Sequence, residues 1–121
     1  MTDQELLESA ARAVGISGTY VRMHQAFGDQ WVDGIDTGAL IYWNPMGNDG
    51  DALRLAVKLG IHIAFVAVDS YTGYPNVARA RHFDFGEIDE HFDDNKSECG
   101  ATRRAIVRGA AALGKMASLG G

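Results

Sequence analysis

The sequence is poor in several residue types and patterns that mark large classes of protein. Its 121 residues include one cysteine, Cys99, which excludes an internal disulfide and a zinc site made of cysteines. Only two prolines occur, and no apolar run is long enough to span a bilayer. The first ten residues, MTDQELLESA, lack the basic and then apolar order of a signal peptide. We therefore expect a soluble, intracellular protein with a single domain over residues 1–121.

The chain contains enough apolar residues for one core, and their spacing predicts three helices. Hydrophobic residues make up 46% of the sequence and charged residues 22%, which is typical of a globular protein. Apolar positions recur at helical spacing over about 2–14, 50–59 and 100–118. Thr2 and Glu5 have the spacing of a capping box, and Gly15 and Gly60 are suitable helix ends.

Four segments rich in β-branched or aromatic residues predict strands, at 19–23, 39–43, 61–68 and 77–85. Residues 61–68 are apolar on both faces, which is typical of a central strand, whereas two arginines on one face of 77–85 indicate an edge or a partly covered face. Trp31 and Val32 are candidates for a further short strand. The expected fold class is α/β (α+β), with one small, mostly antiparallel sheet of about four strands packed with three helices.

Charge is distributed unevenly along the chain. The net charge is −5, which disfavours nucleic acid as a partner. Seven acids and one base lie in 84–98, which we interpret as an acidic loop, and the last predicted helix carries only bases. Either the two segments neutralise each other, or one of them is an interaction surface. The acids are Asp84, Glu87, Asp89, Glu90, Asp93, Asp94 and Glu98, and the bases are Arg103, Arg104, Arg108 and Lys115.

Two stretches of the chain resemble a family of small bacteriophage proteins. Residues 41–61 (IYWNPMGNDGDALRLAVKLGI) combine a polar loop with a helix that opens on Asp-Ala, and residues 101–106 (ATRRAI) open a helix of the same family type. This pattern is similar to phage proteins of unknown function of the NinX-like, alpha-beta-alpha sandwich type. The resemblance implies a compact α/β sandwich in the cytoplasm of a bacterial host, and it implies no catalytic residues. The acidic loop 84–98 and the glycine-rich segment 28–38 depart from the family pattern.

The candidate binding residues form an aromatic and polar set and a charged set. Tyrosine and tryptophan are frequent at binding hot spots, and two polar loops could bring such residues together at one end of the sheet. The acidic loop could compete for a basic surface on a host protein, and the basic helix could meet an acidic one. The candidates are Tyr42, Trp43, Asn44, Tyr71, Tyr74, Asp89, Glu90, Asp93, Asp94, Arg104 and Arg108.

Metal binding and catalysis have weaker support. Two His-Xaa-Asp units supply the residue types that bind zinc, but their spacing matches no compact ligand motif. The weak candidates are His82, Asp84, His91 and Asp93. No nucleophile elbow or phosphate-binding loop occurs, and the reactivity of Cys99 is left open. We expect no metal, no cofactor and no catalytic residue.

These observations favour a small, non-enzymatic phage accessory protein that binds a partner protein, such as a host or defence protein that it inhibits. The first alternative is a protein that binds or sequesters a small molecule or nucleotide, using Trp43, Asn44, Tyr71, Tyr74 and Arg79. A metal-dependent hydrolase is the second alternative. No membrane association is expected, and a homodimer is left open, supported by an apolar sheet face or by the small residues of the last helix.

Overall fold

Three helices pack against two small antiparallel sheets in a computed structural model, which describes residues 1–25 and 28–120 (for 118–120, the backbone). The mixed α+β class is confirmed, but in the described residues the strands form sheets of two and three rather than one sheet of about four. The elements are α1 (Asp3–Val14), β1 (Thr19–Gln25), β2 (Gln30–Asp36), α2 (Asp49–Leu59), β3 (His62–Val66), β4 (Val77–His82), β5 (Gly86–His91), a 3-10 turn (Asp93–Asn95) and α3 (Glu98–Gly120).

The ends of α1 and α2 are set by local side chains. Thr2 caps α1 and forms the expected capping box with Glu5, whose pKa is lowered by its hydrogen bonds to Thr2. Asn48 caps α2 by accepting a hydrogen bond from the backbone N–H of Asp51. Both helices end at a glycine with a left-handed backbone, Gly15 and Gly60, as the sequence predicted.

The first sheet is the hairpin of β1 and β2. The predicted strand at 19–23 is confirmed within β1, and the short strand proposed around Trp31 and Val32 lies in β2. Asp33 and Gly34 lie within β2, although an Asp-Gly pair in a sequence usually indicates a turn. The prediction of a strand over 39–43 is wrong: apart from one bridge between Trp43 and Ile35, this segment has no strand partner in the described structure.

The second sheet has the order β3-β4-β5. The expected central position of 61–68 is therefore wrong, since β3 lies at an edge. For 77–85 the second alternative is the one found, because β4 lies in the centre and the face with its arginines is only partly covered. Ala78 and Ala80 of β4 are buried toward α3, whereas Arg79 and Arg81 lie on the opposite face and pair with acids of β5. The prediction of a loop over 84–98 is wrong for residues 86–91, which form β5 because their backbone pairs with β4.

Helix α3 is the central element of the core. It packs against α1 and α2 and covers β4 and β5 through small residues. A Cβ atom at Gly109 would stand 2.7 Å from the ring of Phe85, which shows how closely the helix approaches its neighbours. Within the described residues, no helix is long and apolar enough to cross a membrane. The buried α3 side chains are Ala101, Ala105, Ile106, Val107, Ala110 and Ala111.

Candidate functional site

The loop after β2 is held rigidly at its base. The backbone N–H of Ile35 donates to the carbonyl of Trp43 at 2.8 Å, and the N–H of Trp43 donates to the carbonyl of Ile35 at 3.0 Å. Ile35 is fully buried against α1, so this pair of bonds fixes both ends of the segment 36–42 to the core. The backbone N–H of Gly38 also donates to the carboxylate of Asp36 at 3.0 Å, which shapes the turn.

Asn44 secures the same base from the other side. Its side-chain oxygen accepts hydrogen bonds from the backbone N–H groups of Met46 and Gly47, at 2.9 and 3.2 Å. Its amide nitrogen donates to the carbonyl of Asp33 at 3.0 Å. Asn44 therefore fixes the loop to β2. It was predicted to belong to a binding set, but these contacts give it a structural role.

The loop carries an exposed apolar surface. Leu40 and Ile41 are 105% and 80% exposed, so neither side chain contributes to the core. Tyr42 lies across β2 at Gly34, where a side chain would collide with it, and its hydroxyl donates to the sulfur of Met23 at 2.9 Å. Met23, Leu40, Ile41 and Tyr42 are named the loop surface below.

The other face of the hairpin is occupied by contacts within the protein. Trp31 packs against the ring of His24, and the guanidinium of Arg22 lies 4.8 Å from the Trp31 ring centroid. The hydroxyl of Tyr20 donates to the Asp33 carboxylate at 2.8 Å. Burial and this hydrogen bond raise the pKa of Tyr20, so the phenol stays protonated and holds the two strands together.

A second apolar feature is a groove of about 500 Å³ between α2, β3 and the start of α3. Its polar members are few: Asp49 and Arg103 form an ion pair of 2.7 Å at the rim, and Cys99 and Thr102 stand in the wall. The groove continues into a depression beside Tyr74 and Phe92. This feature is called the groove below. The apolar side chains that line it include Leu53, Val57, Ile61, Ile63, Phe65 and Ile106.

Several of the predicted charged candidates pair with one another inside the protein. Arg79 donates to both carboxylate oxygens of Asp89, at 2.7 and 3.0 Å, which lowers the pKa of Asp89 and raises that of Arg79. The side chain of Glu90 is only 13% exposed and forms ion pairs with Arg104 and Arg108 of α3. The first interpretation of the charge pattern, that the acidic segment and the last helix neutralise each other, therefore accounts for Glu90, Arg104 and Arg108, whereas Asp89 pairs with Arg79 of β4.

The remaining acids of the set face solvent. Asp93 and Asp94 are exposed in the 3-10 turn before α3, and no ion pair of either is among those found in the described structure. Arg104 also pairs with Asp3 of α1 at 3.2 Å, which joins the two ends of the chain.

The predicted aromatic residues are divided between different parts of the fold. Trp43 is half-buried and packs against both hydrophobic clusters, so it belongs to the core. Tyr71 and Tyr74 are exposed in the loop between β3 and β4, whose base is fixed by two hydrogen bonds between Asn76 and Val68. Of these residues, Tyr42 lies on the loop surface and Tyr74 lies beside Phe65 near the groove.

The weak metal candidates do not converge. His82 and Asp84 come within 4.0 Å, but one ring nitrogen of His82 contacts the carbonyl of Leu59 and the other accepts from the backbone of Asp84. His91 pairs with Val77 at the end of the sheet opposite to His82. Across residues 1–25 and 28–120, no group of three or more potential metal ligands is brought together.

Comparisons of the chain with protein families, with curated proteins and with solved structures gave no match. The site therefore depends on the geometry alone. Sequence reasoning missed Leu40 and Ile41, because an apolar run was interpreted as a strand, and it missed the groove. The signal that could have found Leu40 and Ile41 is their position between Gly38 and Pro45, which limits regular strand pairing.

Proposed function

We propose that this protein is a small, non-catalytic phage accessory protein that binds a partner protein in the cytoplasm of the bacterial host. The observation that carries the proposal is the exposure of Leu40 and Ile41 on a loop whose ends are fixed to the core. Because both ends of the loop are fixed, its backbone loses less conformational entropy on binding, and burial of the two aliphatic side chains against a partner then favours the complex.

The loop surface also has the composition of a protein interface. Tyr42 follows the two aliphatic residues and contacts Met23, and aromatic residues and methionine are enriched at interfaces. The exposed carboxylates of Asp93 and Asp94 add negative charge elsewhere on the surface, which would accelerate encounter with a basic partner without adding much affinity.

Binding of a nucleotide or another polar small molecule has less support. A site for such a ligand needs several polar groups that converge in a cavity. The groove is lined mainly by apolar side chains, and the charged groups of Asp49 and Arg103 at its rim already pair with each other. Arg79, which the alternative would use, is engaged by Asp89.

Affinity capture from a bacterial lysate, quantified by mass spectrometry, tests the proposal. We expect wild-type protein and Tyr71→Glu to retain the same partner, and the double variant Leu40→Glu/Ile41→Glu to lose at least ten-fold of it. All three proteins should unfold at the same temperature, because the substituted side chains are exposed. Equal capture by the double variant would contradict the role of the loop surface, and selective loss with Tyr71→Glu would favour the β3–β4 loop instead.

A further inference from the structure

The two edges of the three-stranded sheet differ in their protection against pairing with another strand. The edge strand β5 carries Glu87, Asp89 and Glu90, and inward or edge charges of this kind block association. The edge strand β3, with the sequence HIAFV, carries no lysine, no acid and no proline, and its five pairs with β4 contain no bulge. One edge is therefore protected and the other is not.

The side chains of β3 on the helical side of the sheet are only partly covered, since Ile63 is half-buried against the core and Phe65 is largely exposed. Helix α3 covers β4 and β5, whereas Ile63 and Phe65 line the groove, and Phe65 remains 57% exposed. The wall of the groove formed by α2 is exposed as well, at Leu53 and Val57. An unpaired strand edge and a partly covered apolar layer thus lie side by side, and one partner could cover both.

We propose that this partner is a second copy of the chain, which pairs antiparallel with β3 about a two-fold axis at Ala64. The two sheets then join into one sheet of six strands. In this register Ala64 faces Ala64 of the other copy, and Ile63 faces the other copy's Phe65 on the groove side, an aliphatic–aromatic cross-strand pair. The sequence is self-complementary at this position, as a two-fold interface requires.

The distribution of charge favours self-association at this surface. Two chains of net charge −5 repel each other, so they can meet only where like charges are absent. Strand β3 contains no acid, lysine or arginine, and the two charges at the rim of the groove cancel as an ion pair.

The oligomeric state of purified protein, measured by light scattering after size exclusion, is the first test. We expect wild-type protein and Leu40→Glu to have twice the mass of the chain, and Phe65→Glu to have the mass of one chain with an unchanged circular dichroism spectrum. Phe65 is exposed in the monomer, so a glutamate there does not disturb the core. A folded wild-type monomer at micromolar concentration would overturn the proposal, as would an open series of larger oligomers.

Cysteine cross-linking tests the register. In a Cys99→Ser background, Ala64→Cys should form an intermolecular disulfide under mild oxidant, because opposed residues of antiparallel strands have Cα atoms about 4.5–5.5 Å apart. His62→Cys alone should not cross-link, but a mixture of His62→Cys and Val66→Cys proteins should. A dimer without the Ala64→Cys cross-link would exclude β3 as the axis, and a mass increase from a small molecule in native mass spectrometry would replace the second copy by a ligand in the groove.

Discussion

Gly114 of α3 lies so close to the backbone of α1 that a Cβ atom on it would overlap the carbonyl oxygen of Ser9. The contact brings the first and last helices of the chain together, and it explains a glycine within a helix, where glycine costs about 1 kcal/mol relative to alanine. Gly109 is a second glycine of α3 at which an added Cβ atom would meet a neighbour, the ring of Phe85.

The substitution Gly114→Ala should destabilise the protein by about 1–3 kcal/mol, because a methyl group is forced against backbone that cannot move away. Gly109→Ala is the matched control: there the added methyl group meets the ring of Phe85, which can shift, and the gain in helix propensity offsets part of the strain. Urea unfolding of both variants measures the difference. A loss at Gly114→Ala no larger than that at Gly109→Ala would contradict a special constraint at Gly114.

Removing the charge of Glu90 should lower the free energy of unfolding more than removing the charge of a solvent-exposed acid. Glu90→Gln leaves Arg104 and Arg108 without their shared carboxylate, so we expect a loss of about 2 kcal/mol, the usual contribution of hydrogen bonds to charged groups. The control Asp94→Asn, in the same segment but exposed, should change the free energy of unfolding by less than about 0.5 kcal/mol. Thermal and urea unfolding of the two variants measure these losses. If Glu90→Gln leaves the free energy of unfolding unchanged, the ion pairs of Glu90 do not stabilise the fold.

The ion pair of Arg79 and Asp89 predicts that its contribution to the free energy of unfolding is lost at low pH. Because Arg79 lowers the pKa of Asp89 below its usual 3.8, the carboxylate stabilises the folded state above that pH, and the contribution disappears as the pH falls through the lowered value. The difference in unfolding free energy between wild type and Asp89→Asn should therefore be constant between about pH 5 and 7 and shrink at lower pH. Urea titrations over this pH range measure it, with Asp93→Asn expected to show no such trend. A difference that grows on acidification would contradict the pair.

The helices were predictable because their start and stop signals are local. The strands were harder to predict because a sheet depends on pairing between segments that are distant in sequence. Thr2, Gly15 and Gly60 act within a few residues of themselves, so their roles can be inferred from the sequence alone. The order of strands in a sheet depends on which face the helices cover. The small side chains of Ala78 and Ala80 allow α3 to pack on β4, which lies in the centre of the sheet. The number of apolar residues in 61–68 had instead predicted β3 as the central strand.

The candidate site was predictable only in part for the same reason. Tyr42 was identified from residue type, but its role depends on a contact with Met23, nineteen residues away in sequence. Charge composition alone could not show that Asp89 and Glu90 pair with arginines of β4 and α3, because those pairs form only when the sheet and helix meet. Neutralising both residues together with Asp93 and Asp94 would therefore mix a loss of stability with a loss of surface charge.

Asn44 links the stability of the hairpin to the order of the loop surface. Asn44→Ala removes four side-chain hydrogen bonds, two to Asp33 and one each to Met46 and Gly47, and should destabilise the protein by about 1–3 kcal/mol. Amide exchange should rise mainly over residues 36–43, because Asn44 fixes the base of that loop. If exchange rises uniformly across the protein instead, Asn44 supports the whole fold and not the loop in particular.

Cys99 provides an independent measure of whether a second copy covers the groove. As the single cysteine, it lies exposed in the wall of the groove, in the first turn of α3. If two chains pair through β3, its reaction with a thiol reagent should be several-fold slower at high protein concentration than at low concentration, because the dimer restricts access. In the monomeric Phe65→Glu variant the rate should be independent of concentration, and Leu40→Glu should behave as wild type. A wild-type rate that does not change with concentration, while the mass shows a dimer, would place the interface on another face of the protein.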